Sequence, residues 1–547
     1  MNRMLDKKKT FRLFVAAIVC LSLCLTVLAA CENSPALNIF LKNGDETKDI
    51  KSNEIYIPSA VIDTLNPVTM NLEDEYHISK LIYSSLFRLD DTMRPVPELV
   101  ENIVKYEENV LELELKRGIK WHDGSELTAD DVKYSIDRHK WASGKGIGLF
   151  GEYVDGIKKV GLDKNDPYKI YLHYHKKQDM LKAKLTFPII QANSMNSGKG
   201  KKKTSFKPVG TGQYKVADHQ SGRFLRLEPN EHYYDGNATN IIIFKMFPDK
   251  AHAKNLIDSN AISVFFNMNT QDIIAMGDTE YHTVRFPSNK VEFIGFNCQN
   301  PVLMQKKVRQ AIAYAVDTEE LCESAYYSAA KPTDTLYYPN FWGIENSGDA
   351  CPHSQKQAVK LLDKAGFAEI HGIMEDGERN QLKLQLIYNE DNESRAVAAD
   401  MIAERLKEIK IACEPVPLSY DEYSARIASG NYDIYIGGAA FADYYDLRQF
   451  LFSKGNNFNY KNYMLDRRLD KMCGELDDAE FVKNYKFVKQ ILATDLPCYP
   501  LLYKEYEMVY PESLKAEPIP IFNNLYNNCG EWKHVYHVKI EPKAEKE

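Results

Sequence analysis

The chain is predicted to be an α/β protein made of more than one packed body, and three observations carry the prediction. From residue 358 onward, amphipathic helices alternate with short apolar strands, the pattern of a parallel or mixed sheet covered by helices. Residues 110–132 read as a strand, a tight turn and a capped helix. A length of 547 residues exceeds what one hydrophobic core encloses. At 44% hydrophobic and 27% charged residues, the composition excludes both a disordered chain and a multi-span membrane protein. The net charge of −8 excludes a general nucleic-acid binder, which needs a basic surface to displace counterions.

The N-terminus reads as a targeting segment over residues 1–30. Lys7, Lys8, Lys9 and Arg12 form a basic start, and Leu13 to Leu28 is nearly all apolar. Leu28-Ala29-Ala30-Cys31 then places small residues where a signal peptidase cuts. The alternative is an uncleaved anchor, because the apolar run is barely short of a membrane span. With Cys20, Cys24 and Cys31 set aside, seven cysteines remain: Cys298, Cys322, Cys351, Cys413, Cys473, Cys498 and Cys529. An odd number cannot pair fully within one chain, so at most some are bridged. No two have the C-x-x-C spacing of a thiolate zinc site; no metal and no cofactor are expected.

The polar residues 31–53 are predicted to be a flexible tether, and Ile55-Tyr56-Ile57 starts the folded body. Leu111, Leu113 and Leu115 alternate with Glu112 and Glu114, the period of a half-buried strand. Asp123-Gly124 makes the turn. Thr128 stands three residues before Asp131, a near-capping box, and Asp130 and Asp131 face the positive end of the helix dipole. His173 and His175 lie two apart on one side of an alternating segment; two ligands do not make a metal site. Residues 194–206 read as a solvated lysine-rich loop without phosphate-loop spacing. Val308, Ala311, Ile312, Ala315 and Val316 recur at helical spacing, with Arg309 and Asp317 off that stripe. Trp342, Tyr337 and Tyr338 either line a cleft or pack internally. Further on, a helix over 358–365 stops at Gly366. It is followed by a strand at Leu382–Leu386, a helix over 396–409, an extended 411–416, a helix over 420–429 and a strand over 432–436. The next loop holds Ala442-Asp443-Tyr444-Tyr445-Asp446, at the strand end where ligands bind in α/β folds.

The run from Arg117 to Val132 resembles the signature of the family 5 extracellular solute-binding proteins, the peptide receptors of bacterial ABC importers. Leu65-Asn66-Pro67, Pro208-Val209-Gly210-Thr211-Gly212-Gln213-Tyr214, Val308 to Asp317 and Leu496 to Tyr503 resemble further blocks of that family, so the likeness spans about Leu65 to Tyr503. The resemblance implies a periplasmic-binding-protein-like two-lobed fold, type II, cluster C, with an additional inserted domain. Carried onto this chain, lobe I would be 54–80, 205–292 and 503–547, the inserted domain 81–204, and lobe II 293–502. It also implies that Leu28-Ala29-Ala30-Cys31 is a lipobox and that Cys31 carries lipid.

In the family's peptide binders an aspartate in Ala-Asp-Tyr pairs with the ligand's α-ammonium; here that position is Asp443, with Tyr444 and Phe441 beside it. The competing role for Asp443 is a cap on the helix near Arg448, for which Asp446 is the better candidate. Two departures stand out. The family's tryptophan ahead of the aspartate is replaced by Gly437-Gly438-Ala439-Ala440-Phe441, and the usual proline after the second aspartate is Leu447. The expected function is a non-enzymatic, monomeric, lipid-anchored receptor on the outer face of the cell membrane. It would capture oligopeptides and deliver them to the transmembrane subunits of an ABC permease. The alternative within the fold is an oligosaccharide or a nickel or other metal chelate. A secreted hydrolase is disfavoured, since Gly-x-Ser-x-Gly and His-Glu-x-x-His are missing from the sequence.

Overall fold

The computed structural model describes residues 48–192, 194–195, 206–248, 261–267, 281–345, 351–515 and 517–538. Cys31, the targeting segment and nearly all of the lysine-rich loop lie outside the described residues. The chain divides into two compact units, of which the larger spans Glu54–Glu512 and Ala516–Trp532. In the smaller unit Lys48–Ser52 pairs antiparallel with Lys533–Val538, which also pairs with Leu514–Lys515. The last residues of the expected tether are therefore strand: an extended backbone has one donor and one acceptor per residue, and a neighbouring strand satisfies them.

Three sheets organise the larger unit. Glu54–Ser59 runs parallel to Ile241–Met246, with Phe224–Pro229 and Tyr214–Gln220 continuing antiparallel. A second sheet has four antiparallel strands in the order Val100–Glu107, Val110–Leu115, Lys169–Tyr174, Ile157–Leu162. Its core holds Leu111, Leu113, Leu115, Trp121, Val132 and Ile136, so the alternation seen in the sequence faces inward as expected. The Ala129–Ser143 helix starts where Asp131 accepts the Thr128 amide at 2.9 Å, the carboxylate half of the capping box.

The third sheet is mixed. Lys383–Asn389 lies parallel to both Ala412–Leu418 and Ile434–Ala440, while Ile434–Ala440 is antiparallel to the long strand Tyr281–Phe296. The helices Gln355–Lys364, Glu393–Glu408 and Tyr420–Ser429 fall within two or three residues of their predicted bounds. Val308, Ala311, Ile312, Ala315 and Val316 are buried in the core as their spacing requires. Arg309, off that stripe, is nevertheless only 2% exposed. Its guanidinium donates to the carbonyls of Asp495, Leu496, Leu303 and Met304, holding the C-terminal end of the Asp478–Asp495 helix.

Two long strands, Tyr281–Phe296 and Cys498–Pro511, pair along most of their length. Their register breaks between Pro287 and Val291, where Ser288 Oγ donates to the Lys504 carbonyl at 2.7 Å. Tyr337 and Trp342 pack internally: Tyr337 lies edge-on to Tyr485, and Trp342 stacks on Phe481 at 3.7 Å. The seven cysteines from Cys298 to Cys529 are free thiols. No helix of the described residues is long and apolar enough to cross a membrane.

Candidate ligand-binding site

The Ile434–Ala440 strand delivers the loop that carries Phe441, Asp443 and Tyr444. Phe441 continues the pairing by one residue. Its amide donates to the Asn289 carbonyl at 3.2 Å, and Asn289 Nδ2 donates to the Phe441 carbonyl at 2.9 Å. Asn289 lies in the register break of the long strands, so the loop is tied to that break. Two further side chains of the loop, Asp443 and Tyr444, reach segments outside this sheet. Asp443 Oδ2 accepts the Tyr76 hydroxyl at 2.7 Å, and Tyr444 donates to Glu152 Oε2 at 2.7 Å. Tyr153 meets Tyr444 edge-on at 5.8 Å, Phe150 packs on both Tyr153 and Tyr76, and Lys184 lies 5.2 Å from the Tyr444 ring centre. Burial, reinforced by Asp443, pushes the Tyr76 and Tyr153 hydroxyls well above the usual phenol range, so both are neutral donors at neutral pH.

Asp446 does not cap the short Arg448–Leu451 helix, whose N-cap is Leu447; it lies one residue ahead and holds the Arg448 side chain. It accepts the Arg448 amide at 3.1 Å and Arg448 Nε at 2.9 Å. Burial alone would raise its carboxyl; the guanidinium overrides this and holds it below the usual range. Arg448 also reaches Asp179 at 2.8 Å. Asp443 is left with a neutral phenol as its hydrogen-bond partner and, among the described residues, no ion pair.

The glycines that depart from the family pattern have a steric cause. A Cβ on Gly438 would stand 2.7 Å from Glu292 Oε1, inside an ion-pair cluster in which Glu292 meets Arg395 Nε at 2.9 Å and Lys504 Nζ at 3.0 Å. A Cβ on Gly437 would stand 2.8 Å from the Phe293 ring. The aromatic surface near Asp443 comes instead from Tyr76, Phe150, Tyr153 and Tyr444. Sequence reading missed Tyr76, Phe150 and Tyr153, since no local pattern signals a contact across 367 positions.

Tyr76 sits on the Glu73–Ile82 helix, whose placement is over-determined. Glu75 accepts the amides of Asp63, Thr64 and Asn71, and Asp74 accepts that of Ala60. At the other end Gly212 N–H donates to the Ile82 carbonyl at 2.9 Å, and a Cβ on Gly210 would collide with that same carbonyl. His122, in the Trp121-His122-Asp123-Gly124 turn, accepts the Gly210 amide on Nδ1 at 3.1 Å. Two of the motifs that carry the family resemblance thus lock one helix in place. Among the described residues no cluster of three or more His, Cys, Asp or Glu is placed to hold a metal, and His173 and His175 gain no third partner.

Separate bodies whose facing surfaces meet at a loop beyond a mixed-sheet strand define a two-lobed binding protein of type II fold. The chain belongs to the bacterial extracellular solute-binding proteins, family 5, whose model matches residues 94–462. It is accordingly a binding protein of the ABC importer class rather than an enzyme. It is 25% identical to the oligopeptide-binding protein AppA of Bacillus subtilis, over 96% of this chain and 98% of the relative. The dipeptide-binding protein of Escherichia coli is 24% identical, over 70% and 75% respectively. Among solved structures, the nickel ABC transporter protein of Bacillus halodurans superposes with a TM-score of 0.75 at 16% identity, covering 88% of this chain and all of that one; it supports the fold alone.

Proposed function

We propose that the protein is a lipid-anchored monomeric receptor that captures peptides between its lobes and delivers them to an ABC permease. The observation that carries the peptide reading is Asp443: a carboxylate between facing bodies, hydrogen-bonded to a neutral phenol and unmatched by any ion pair among the described residues. An α-ammonium supplies the missing charge and three donors. The names of the oligopeptide- and dipeptide-binding relatives support the same ligand class. Tyr444 and Phe441 would shape the wall around the bound N-terminus. Lobe II would close over the ligand by flexing the two long strands at the register break between Pro287 and Val291.

Each part has a test. Asp443→Asn should weaken binding of a free-amine tetrapeptide about ten- to a hundredfold by calorimetry, the worth of a charge-assisted hydrogen bond. N-acetylation of that tetrapeptide should cost the wild type a similar factor. An acetylated peptide that binds as tightly as the free amine removes Asp443 from the N-terminal role. Anchoring rests on Cys31, outside the described residues. Cys31→Ala should abolish lipid labelling and release the chain from membranes, and gel filtration of the released chain should give one monomer-sized species.

A further inference from the structure

The chain has four tryptophans, and three are packed away: Trp121, Trp342 and Trp532 are at most 7% exposed. Trp141 is 44% exposed. It stands near the end of the Ala129–Ser143 helix, half a turn round from Val132, Ile136 and His139, which enter the core. Helical spacing calls for a polar residue on that outer face. The glycine-rich turn that follows adds Ile147 at 41% and Leu149 at 42% exposure.

This apolar tip is held in place. The Ala142 carbonyl accepts the amides of Lys145 at 2.9 Å and Ile147 at 3.1 Å, which folds the turn back beside Trp141. Gly148 has φ +77°, and a Cβ there would stand 2.3 Å from the Val68 carbonyl oxygen, so only glycine lets the turn press against that segment. Trp141, Ile147 and Leu149 are therefore offered from fixed backbone. A preorganised centre with a tryptophan is what a binding hot spot requires, since little ordering remains to be done on association.

The residues that follow lead directly to the Asp443 loop. Phe150 packs on Tyr76 and Tyr153, and Glu152 accepts the Tyr444 hydroxyl at 2.7 Å. A partner seated on the tip thus rests on the segment that the loop of the mixed sheet joins. Residues 141–155 carry one cation, Lys145, against two carboxylates, Glu152 and Asp155, so an anionic bilayer gains no attraction here. Three side chains also fall far short of the roughly 800 Å² per partner of a stable dimer. A small apolar centre suits a contact that forms and releases with each delivery.

We infer that the tip formed by Trp141, Ile147 and Leu149 is where the extracytoplasmic face of an ABC permease seats, an apolar recess of the permease taking the three side chains. The inference rests on the proposed delivery role and names the surface that carries it.

Uptake and binding, measured separately, test it. Trp141→Ser and the double variant Ile147→Ser with Leu149→Ser replace the chromosomal copy, and uptake of a labelled free-amine tetrapeptide is compared with wild-type and deletion strains. Each variant should lower receptor-dependent uptake about tenfold or more, the loss of one hot spot. Its affinity for that tetrapeptide by calorimetry should stay within about threefold of wild type, because the tip does not touch Asp443. Trp141→Phe should keep most of the uptake. With p-benzoylphenylalanine in place of Leu149, irradiated cells should yield a crosslink to a protein that mass spectrometry identifies as a transmembrane ABC permease subunit. The same probe in place of Tyr420, an exposed ring elsewhere, should not. Unchanged uptake by the serine variants, a parallel fall in affinity, or crosslinks from position 149 that reach only lipid, only a second copy or nothing overturns the docking surface and leaves the receptor reading standing. A wild-type chain that binds no peptide, or whose deletion leaves uptake intact, overturns both.

Discussion

His139 is 2% exposed, wedged edge-on against Phe150 and Phe187, with Nε2 3.1 Å from the Pro188 carbonyl. Burial lowers its pKa to about 4, and burial does the same to His122 and His534. The unfolded chain binds these protons near the ordinary histidine value of 6.5, the folded chain only near 4. Stability from the neutral rings is therefore complete above pH 6.5 and lost as pH falls from there toward 4. At pH 5 the loss is on the order of 1–2 kcal/mol per histidine. Urea-unfolding midpoints measured across this window should fall with pH, and His139→Gln should make the fall shallower. At the same scale, the sequence exposed Asp443 and Asp446 as candidates for two roles. Position in the loop favoured Asp446 for the helix end; the contacts show that it binds Arg448 without capping the helix, and that Asp443 meets Tyr76.

For the elements, periodicity was a sound guide wherever a single face meets a core. Leu111, Leu113 and Leu115 are fully buried, and the Tyr420–Ser429 helix has its predicted bounds. Periodicity is silent on Arg309, whose burial follows from the carbonyls it caps on a helix more than 180 residues away. The family motifs also gain a physical meaning at this scale. Gly210 and Gly212 allow the Leu81 and Ile82 carbonyls to approach, which fixes the helix bearing Tyr76. Gly210→Ala should destabilise the protein by about 1–3 kcal/mol, the cost of overpacking. It should also weaken ligand binding, because Tyr76, the partner of Asp443, rides on the displaced helix. Gly377→Ala, where nothing stands within 4 Å of the added methyl, is the control and should change neither Tm nor affinity.

Across the whole molecule, the loop after Ile434–Ala440 and its neighbours bind the other bodies through few polar links. They include Tyr76 to Asp443, Tyr444 to Glu152, Arg448 to Asp179, Lys182 to Asp478 and the Met180 amide to the Cys473 carbonyl. Arg448 and Asp179 are partly exposed, so their pair contributes no more than about 1 kcal/mol. A link of that size biases an equilibrium without locking it. Asp179→Ala should raise the ligand dissociation rate a few-fold in stopped-flow measurements. Its stability to urea should change by less than about 1 kcal/mol. A change confined to stability, with release unaltered, would show that the pair serves the fold alone.

The amino-acid sequence by itself determined the fold class, the inward faces of the main strands and helices, and the family. Each of these is written in local spacing or in contiguous motifs. It also singled out Asp443, through three neighbouring residues. Tertiary structure alone decided what surrounds that carboxylate. Tyr76, Phe150 and Tyr153 reach it from chain segments roughly 300 or more positions away. Gly437 and Gly438 make room for a ring and an ion pair brought by distant strands and a helix. The reason is physical: spacing along a chain states which side of an element is apolar, while the identity of the surface it meets depends on how separate bodies pack.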